Sequence, residues 1–461
     1  MTSATGAEGA PHPYVPATEA DTRIMLDRLG LTSTAQLFDA LPADHRDPSI
    51  ELPPALAEAE VLRLMRSRAA MNADALTRPS FLGAGAYRRA IPSIVPYLIS
   101  RSEFMTAYTP YQPEISQGTL QSAFEYQSVV CELTGMDVSN TGLYDVASAT
   151  AEACLLAVRS TGRRAVALLE PMHPGTIDVV RTYAYGAGVS VDVVRGVDEL
   201  DAVHACVVVQ QPDFLGTIHD VEAVANAAHA VGALCVVAAD PFALGLLRSP
   251  GDAGADVVTG EGRDLAFGTQ FGGPSVGLFA AREAHLRQMP GRIVGQTREL
   301  HGPREADGSE GAPRTGYVLT LQAREQFIRR ERATSNVSTG QSLVALAFTI
   351  AVQAYGPHGM REAATLCYQR AHEAAARIGA LPGYDIAERG PWFQEFLVRG
   401  PLPAREILAA LEVRGIAGGL DVSGRDEEAA QDAFLCCVTD TTPPEHVDAL
   451  VEALAEIGAG R

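Results

Sequence analysis

No lysine occurs among the 461 residues, so the 36 basic side chains of the lysine and arginine class are all arginine. The chain therefore supplies no side-chain amine to any reaction, and it contains no P-loop, whose phosphate-binding lysine is obligatory. Coding bias accounts for a lysine-free surface rich in alanine, glycine and arginine. It does not account for the loss of a catalytic lysine, which selection would hold, so this chain works without one. Positive charge is scarce overall: 56 acidic residues against 36 basic ones give a formal net charge of -20. That field repels phosphate backbones and anionic headgroups, so neither nucleic acid nor a membrane surface is expected as a partner.

Long apolar runs are missing as well. The longest, 343–352, falls well short of the roughly twenty residues that cross a bilayer, and reads as a core helix. The first twenty residues have neither a basic start nor an apolar core, so no targeting peptide is expected, and the first seventeen read as disordered. The seven cysteines (131, 154, 206, 235, 367, 436 and 437) form no C-x-x-C pair. Their odd number and the absence of a secretory signal fit a reduced, cytoplasmic chain. Cys436 and Cys437 lie in an apolar run and read as two buried small hydrophobes rather than a redox pair. The eleven histidines are scattered, with no H-x-x-x-H and no Cys/His cluster, so no metal site is expected. No G-x-S-x-G elbow is present.

A chain of this length forms two or three domains. Residues 18–74 read as helical, with an apolar face at Ile24, Met25 and Leu29, a glycine stop at Gly30, and a second helix over 56–71. Short apolar or β-branched runs then appear at 165–169, 189–194, 205–209, 234–238, 256–258 and 276–280. Alanine-rich helical windows such as 221–230 separate them. This alternation predicts an α/β fold with a mostly parallel sheet covered on both faces. Residues 301–316 read as a polar, exposed and mobile Gly/Pro loop. A long helix from about 341, a strand at 392–398, a helix at 404–413, a strand at 434–438 and a helix at 444–457 predict a small C-terminal α+β domain. The division expected is an N-terminal helical segment (1–75), a large α/β domain (76–340) and a small C-terminal domain (341–461).

Among glycine-rich stretches, Gly83-Ala-Gly85 and Gly186-Ala-Gly188 lack the third glycine of a dinucleotide fingerprint and read as turns. Two other regions carry more chemistry. Residues 106–118 hold Tyr108, Tyr111, Gln112, Glu114, Ser116 and Gln117 together with two prolines, with little periodicity. Such a rigid polar segment is either a site wall or a packed linker. Residues 260–277 are glycine-rich after a strand, which means tight turns or close backbone approach. Arg324, Arg329, Arg330 and Arg332, interleaved with Glu325 and Glu331, read as an exposed, salt-laced helix.

The stretches FLGAGAY (81–87), RSEFMTAYTPYQPEISQGTLQSAFEYQ (101–127), LTGMDVSN (133–140), RQMPGRIVGQT (287–297) and LTLQAREQFIRRERATSN (319–336) resemble the glycine decarboxylase P-protein, and more closely subunit 1 of its two-subunit form. The motifs run in family order from about residue 20 to the C-terminus. The resemblance implies a fold-type I pyridoxal-phosphate-dependent transferase-like architecture. It also implies that the Schiff-base lysine belongs to subunit 2, so that pyridoxal phosphate is bound by the partner subunit and this chain carries a degenerate copy of the fold. A catalytic copy would place its lysine several residues after the strand at 256–258, where this chain reads Gly260, Glu261, Gly262, Arg263 and Asp264. Arginine is no substitute, because its guanidinium stays protonated and does not condense with an aldehyde. Asp240 falls where such enzymes pair a carboxylate with the pyridine nitrogen, and is a candidate relic of cofactor binding.

The implied activity is decarboxylation of glycine with transfer of the aminomethyl group to the lipoyl arm of H-protein, by an α2β2 assembly with a lysine-bearing subunit 2. In that setting Tyr108, Tyr111, Gln112, Glu114, Ser116 and Gln117 are the interface candidates, reaching toward the partner's cofactor. Some positions depart from the family pattern. Val146 and Ser148 stand where Gly and Thr are usual, in the turn that would cradle phosphate; 265–274 and 338–340 drift, and the 301–316 loop is lengthened. These departures keep two rivals open: a paralogous decarboxylase with another amino-acid substrate, and a non-enzymatic scaffold that binds a partner through the old dimer face.

Overall fold

The computed structural model describes residues 14, 17–46, 51–75, 77–304, 306, 309–321, 326–387, 389–425 and 430–460. Most of the first seventeen residues, together with Arg324 and Glu325, lie outside these. The chain forms two compact units, Met1–Ala73 and Asp74–Arg461. In the first, a helix spans Glu19–Leu29. It starts where the Thr18 hydroxyl accepts from the Asp21 N–H while the Asp21 carboxylate accepts from the Thr18 N–H. It stops at Gly30, whose φ of 72° suits a residue without Cβ. A second helix spans Glu58–Ala69, and no residue of either helix is buried. Between them are two 3-10 turns rather than a continuous helix.

The second unit is built on a seven-stranded sheet. Its strands are β1 (Val138–Ser139), β2 (Ala165–Leu169), β3 (Ser190–Val194), β4 (His204–Gln211), β5 (Leu234–Ala239), β6 (Val257–Glu261) and β7 (Gly277–Ala281). They lie in the order β1-β7-β6-β5-β4-β2-β3. The ladders joining β3, β2, β4, β5 and β6 are parallel, while β7 and β1 add antiparallel at one edge. The expected parallel core is thus present, with strands matching the apolar runs to within a few residues. Alternation along β4 shows why the run is continuous: Val207 and Val209 join the core on one face, Cys206 and Val208 the core on the other. Helices Val146–Thr161 and Pro174–Ala187 contribute to the second core, and Gln117–Thr134, Val221–Ala230 and the start of a long helix to the first.

Two elements differ from the sequence reading. A hairpin, β8 (Ile293–Arg298) with β9 (Thr315–Thr320), frames the polar loop, whose last residues belong to β9. Its alternation was hidden because β8 leaves most of its side chains half-buried or exposed. The arginine run is not an α-helix where it is described. Gln326–Arg332 is a 3-10 segment interrupted at Arg330, whose φ is 53°, a conformation that breaks helical hydrogen bonding.

A second, antiparallel sheet is made of β10 (Asp385–Ile386), β11 (Glu395–Arg399), β12 (Leu420–Asp421) and β13 (Ala433–Cys437), in the order β10-β11-β13-β12. Helices Ala404–Val413 and Pro444–Gly458 cover it, burying Ile407, Leu411, Leu450 and Leu454 against Phe396, Val398 and Phe434. Cys436 and Cys437 are buried on β13, as expected of small hydrophobes. The helix Ser342–Gly379 belongs to both halves. Val344–Val352 packs in the core of the large sheet, Ala371–Ile378 in that of the small one, and Gly356 (φ 63°) followed by Pro357 bends the helix between them. Among the described residues no helix is long and apolar enough to cross a membrane.

Candidate functional site

Parallel strands leave their carboxyl ends and the following loops at one edge of the sheet, the usual place for a ligand in an open α/β fold. Here the ends of β4, β5 and β6 open into a cavity of about 360 Å³, lined among others by His173, Gln210, Asp240, Glu261, Arg263 and Asp264. Asp240 follows β5 directly. One of its oxygens accepts from Arg89 Nη2 at 3.2 Å and from Gln394 Nε2 at 3.3 Å; the other accepts from the Phe242 N–H at 2.9 Å. The Arg89 side chain is fully buried, lies 3.8 Å over the Phe242 ring, and also pairs with Asp440 at 3.4 Å. Burial opposes its charge, but Asp240, Cys367 and Asp440 outweigh burial and hold the guanidinium protonated. Asp240 is therefore the anion of an internal ion-pair hub.

The wall opposite is a turn carrying Gly83, Ala84 and Gly85. The turn reading holds for this stretch, whereas Gly186 lies inside the helix Pro174–Ala187 and Gly188 caps its end; here a Cβ on Gly83 would lie 2.4 Å from Glu395 Oε1. The Ala84 N–H donates to that oxygen at 2.6 Å, and the Tyr87 hydroxyl to the other at 2.7 Å. Burial pushes the Glu395 carboxyl up to about 7, against those two hydrogen bonds. In the segment just after β6, Arg263 Nε donates to Asp264 Oδ1 at 2.8 Å and Arg263 Nη2 to the Gly85 carbonyl at 2.9 Å. Asp264 Oδ2 accepts from the Tyr87 N–H at 3.0 Å. This segment locks the wall and offers no amine.

β6 runs three residues beyond the sequence expectation, through Gly260 to Glu261. Gly260 lies within the strand, paired with Ala239, and a Cβ there would lie 2.7 Å from the Ala239 carbonyl oxygen, so this glycine marks close approach of β6 to β5 rather than a turn. The extension carries the Glu261 side chain to the start of the helix Val146–Thr161. Its Oε2 accepts from the Val146 N–H at 3.3 Å, and its Oε1 from the Arg263 N–H at 2.9 Å and the Val276 N–H at 3.4 Å. Asp145 caps the same helix by accepting from the Ser148 N–H at 2.7 Å. Burial raises the Glu261 carboxyl to about 7 although the backbone donors pull it down. His173 caps the helix Pro174–Ala187 and meets the Phe214 ring edge-on at 5.2 Å; burial first, and nearby Arg425, lower its pKa and keep the ring neutral at pH 7.

Residues 106–118 lie elsewhere. They help line a separate cavity of about 290 Å³, which shares no wall residue with the first. Tyr108 is 84% exposed and Tyr111 44%. Gln112, Glu114 and Gln117 are exposed and Ser116 is half-buried. Arg292 joins Thr109 and Tyr111, donating to the Thr109 hydroxyl at 3.3 Å and the Tyr111 hydroxyl at 3.1 Å. Gln117 fixes the far end to the hairpin: its Oε1 accepts from the Tyr317 N–H, and its Nε2 donates to the Tyr317 carbonyl, both at 2.9 Å. The structure thus separates the sequence candidates: Asp240 lines the strand-end cavity, whereas of the six segment residues only Tyr108 lines the second cavity, Tyr111 lying beside it on Arg292 and Gln117 on the hairpin. Sequence reasoning missed Arg89, His173, Arg292 and Glu395, whose partners are mostly distant in the chain. Glu261 was noted only as standing in for a missing lysine neighbourhood.

A mostly parallel sheet with a cavity at its strand ends and a small antiparallel sheet beside it is the architecture of the fold-type I pyridoxal-phosphate enzymes. Solved structures of a sphingosine-1-phosphate lyase from Burkholderia pseudomallei (TM-score 0.60, 15% identity, 90% of this chain and 94% of that one) and of the cystine C–S lyase C-DES (TM-score 0.56, 15% identity, 83% and 98%) share it. Within that class the match is narrower. The family described as glycine cleavage system P-protein matches residues 12–454, and the chain belongs to that family. It is 45% identical to a probable glycine dehydrogenase (decarboxylating) subunit 1 of Thermomicrobium roseum, over 97% of this chain and all of that one. It is 44% identical to the protein of the same name from Anoxybacillus flavithermus, with the same coverage. A crystal structure of glycine decarboxylase (P-protein) of the glycine cleavage system, in inhibitor-bound form, superposes with a TM-score of 0.86 at 39% identity, over 97% of this chain and all of that one.

The residues of this chain do not fit pyridoxal phosphate in its own strand-end cavity. There is no lysine to bind it. The helix N-terminus suited to its phosphate is occupied by the Glu261 and Asp145 carboxylates, and Asp240 is already paired with Arg89.

Proposed function

We propose that this chain is the lysine-free subunit of a two-subunit glycine decarboxylase, with a lysine-bearing homologue as obligate partner in an α2β2 assembly in the cytoplasm. Pyridoxal phosphate, bound by that partner, supplies the electron sink for loss of carbon dioxide from glycine. The aminomethyl group passes to the lipoyl arm of H-protein. What carries this reading is a full-length likeness to subunit 1 proteins in a chain that has no lysine.

This chain contributes the segment 106–118. Tyr108 projects from it into solvent, and Tyr111 is held by Arg292, so the segment presents one exposed phenol beside one that is fixed. Against the partner's cofactor these orient substrate and exclude water, while Gln112, Glu114, Ser116 and Gln117 supply polar contacts or anchor the segment. Asp240 is a relic of cofactor binding, now serving an ion-pair hub.

The test is reconstitution. This chain and its lysine-bearing homologue, mixed with lipoylated H-protein, should exchange labelled bicarbonate into glycine, and neither subunit should do so alone. Activity confined to another amino acid would favour the paralogue, whereas a partner whose turnover ignores this chain would favour the scaffold.

A further inference from the structure

We propose that the Glu261 carboxyl is an internal stand-in for phosphate: it fills an anion cradle at the end of β6, and its removal opens that cradle to inorganic phosphate or a phosphate monoester. Three backbone N–H groups converge on it from three segments: Val146 at the first position of the sixteen-residue helix, Arg263 after β6, and Val276 before β7. One of these donors opens a long helix, and backbone donors converging from separate segments attract an anion.

Glu261 is held there by the strand that carries it. It is the last residue of β6 and pairs with Gly277 of β7. Gly277 allows the sheet edge to close on the helix, because a Cβ there would lie 2.3 Å from the Asp145 carbonyl oxygen. The cradle is therefore rigid, and the chain brings its own anion into it. The remaining charge of the cavity wall reinforces the exclusion, with Asp145, Asp240 and Asp264 set against Arg263. A pocket geometrically suited to an anion has become one that rejects anions. The inference rests on contacts within this chain and not on which amino acid the assembled enzyme uses, so it can fail while the proposed function stands.

The experiment titrates inorganic phosphate into the full chain by calorimetry at constant ionic strength and at pH 8.5, above the value of about 7 to which burial raises Glu261, so that the parent carboxyl is ionised. It compares the parent protein with Glu261→Ala and Glu261→Gln, and uses the absorbance of added pyridoxal phosphate as a second readout. Glu261→Ala should bind phosphate at least about tenfold more tightly than the parent, and Glu261→Gln, which loses only the charge, several-fold more tightly. Adding Val146→Pro to Glu261→Ala removes one donor at a position where proline is tolerated, and should return most of the gain. The proposal is overturned if the parent binds phosphate as tightly as the variants. It is equally overturned if variants with parental circular dichroism bind no better than the parent, Glu261→Gln deciding alone where Glu261→Ala does not fold.

Discussion

The Arg292 guanidinium donates to the Tyr111 hydroxyl at 3.1 Å and also faces the Tyr111 ring, 5.2 Å from its centroid. One cation thereby fixes both the tip and the plane of the same phenol, on a segment with little secondary structure of its own.

Arg292→Ala releases that ring and the Thr109 hydroxyl together. Because Arg292 is only partly buried, stability should fall by no more than about 1 kcal/mol. Turnover by the reconstituted enzyme should fall at least about tenfold, since small displacements of positioning groups are costly. Urea melts and steady-state assays separate the two effects, and Arg292→Lys should recover stability better than turnover, because it lacks the planar fork.

Tyr108 stands 84% exposed in this chain. Tyr108→Phe should leave the midpoint of thermal unfolding of the isolated chain within error, as surface changes usually stay within about 0.5 kcal/mol. It should lower glycine turnover once the partner is added. Unchanged turnover removes the Tyr108 hydroxyl from the mechanism.

Arg89 binds Asp240, Asp440 and Gln394 from a fully buried position. Arg89→Ala strands two carboxylates in a dry setting and should cost about 3–5 kcal/mol, read from denaturant melts. Restoring balance with Arg89→Met/Asp240→Asn should recover part of that loss.

Glu261 and Glu395 both titrate near 7 when folded, against an ordinary value of 4.5. Between those pH values the folded chain holds protons that the unfolded chain has released. Their protonation therefore stabilises the fold fully below about 4.5, and the benefit is lost as pH rises to 7. Each group contributes a fall of up to about 1.4 kcal/mol per pH unit inside that window. Urea melts at pH 5, 6 and 7 should show the decline, and Glu395→Gln or Glu261→Gln should flatten it.

The sheet could be read from the sequence because strands buried on both faces are written as unbroken apolar runs, as at 165–169 and 234–239. The hairpin β8–β9 could not, since its half-exposed residues leave no such mark. The cavity was harder still. Arg89 meets Gln394 across 305 positions and Tyr87 meets Glu395 across 308, and no local spacing records such a meeting. Gly260 shows the remaining difficulty: a glycine needed for strand packing looks the same in sequence as one needed for a turn.

The bent helix Ser342–Gly379 has one end in each hydrophobic core. Neither sheet can lose its packing without exposing part of a helix that the other still holds. Residues 74–461 should therefore melt as one cooperative body, giving a single calorimetric peak whose van't Hoff and calorimetric enthalpies agree. The small sheet is then no separable module to be exchanged or deleted, and a truncation ending near residue 380 should fail to yield a folded remainder.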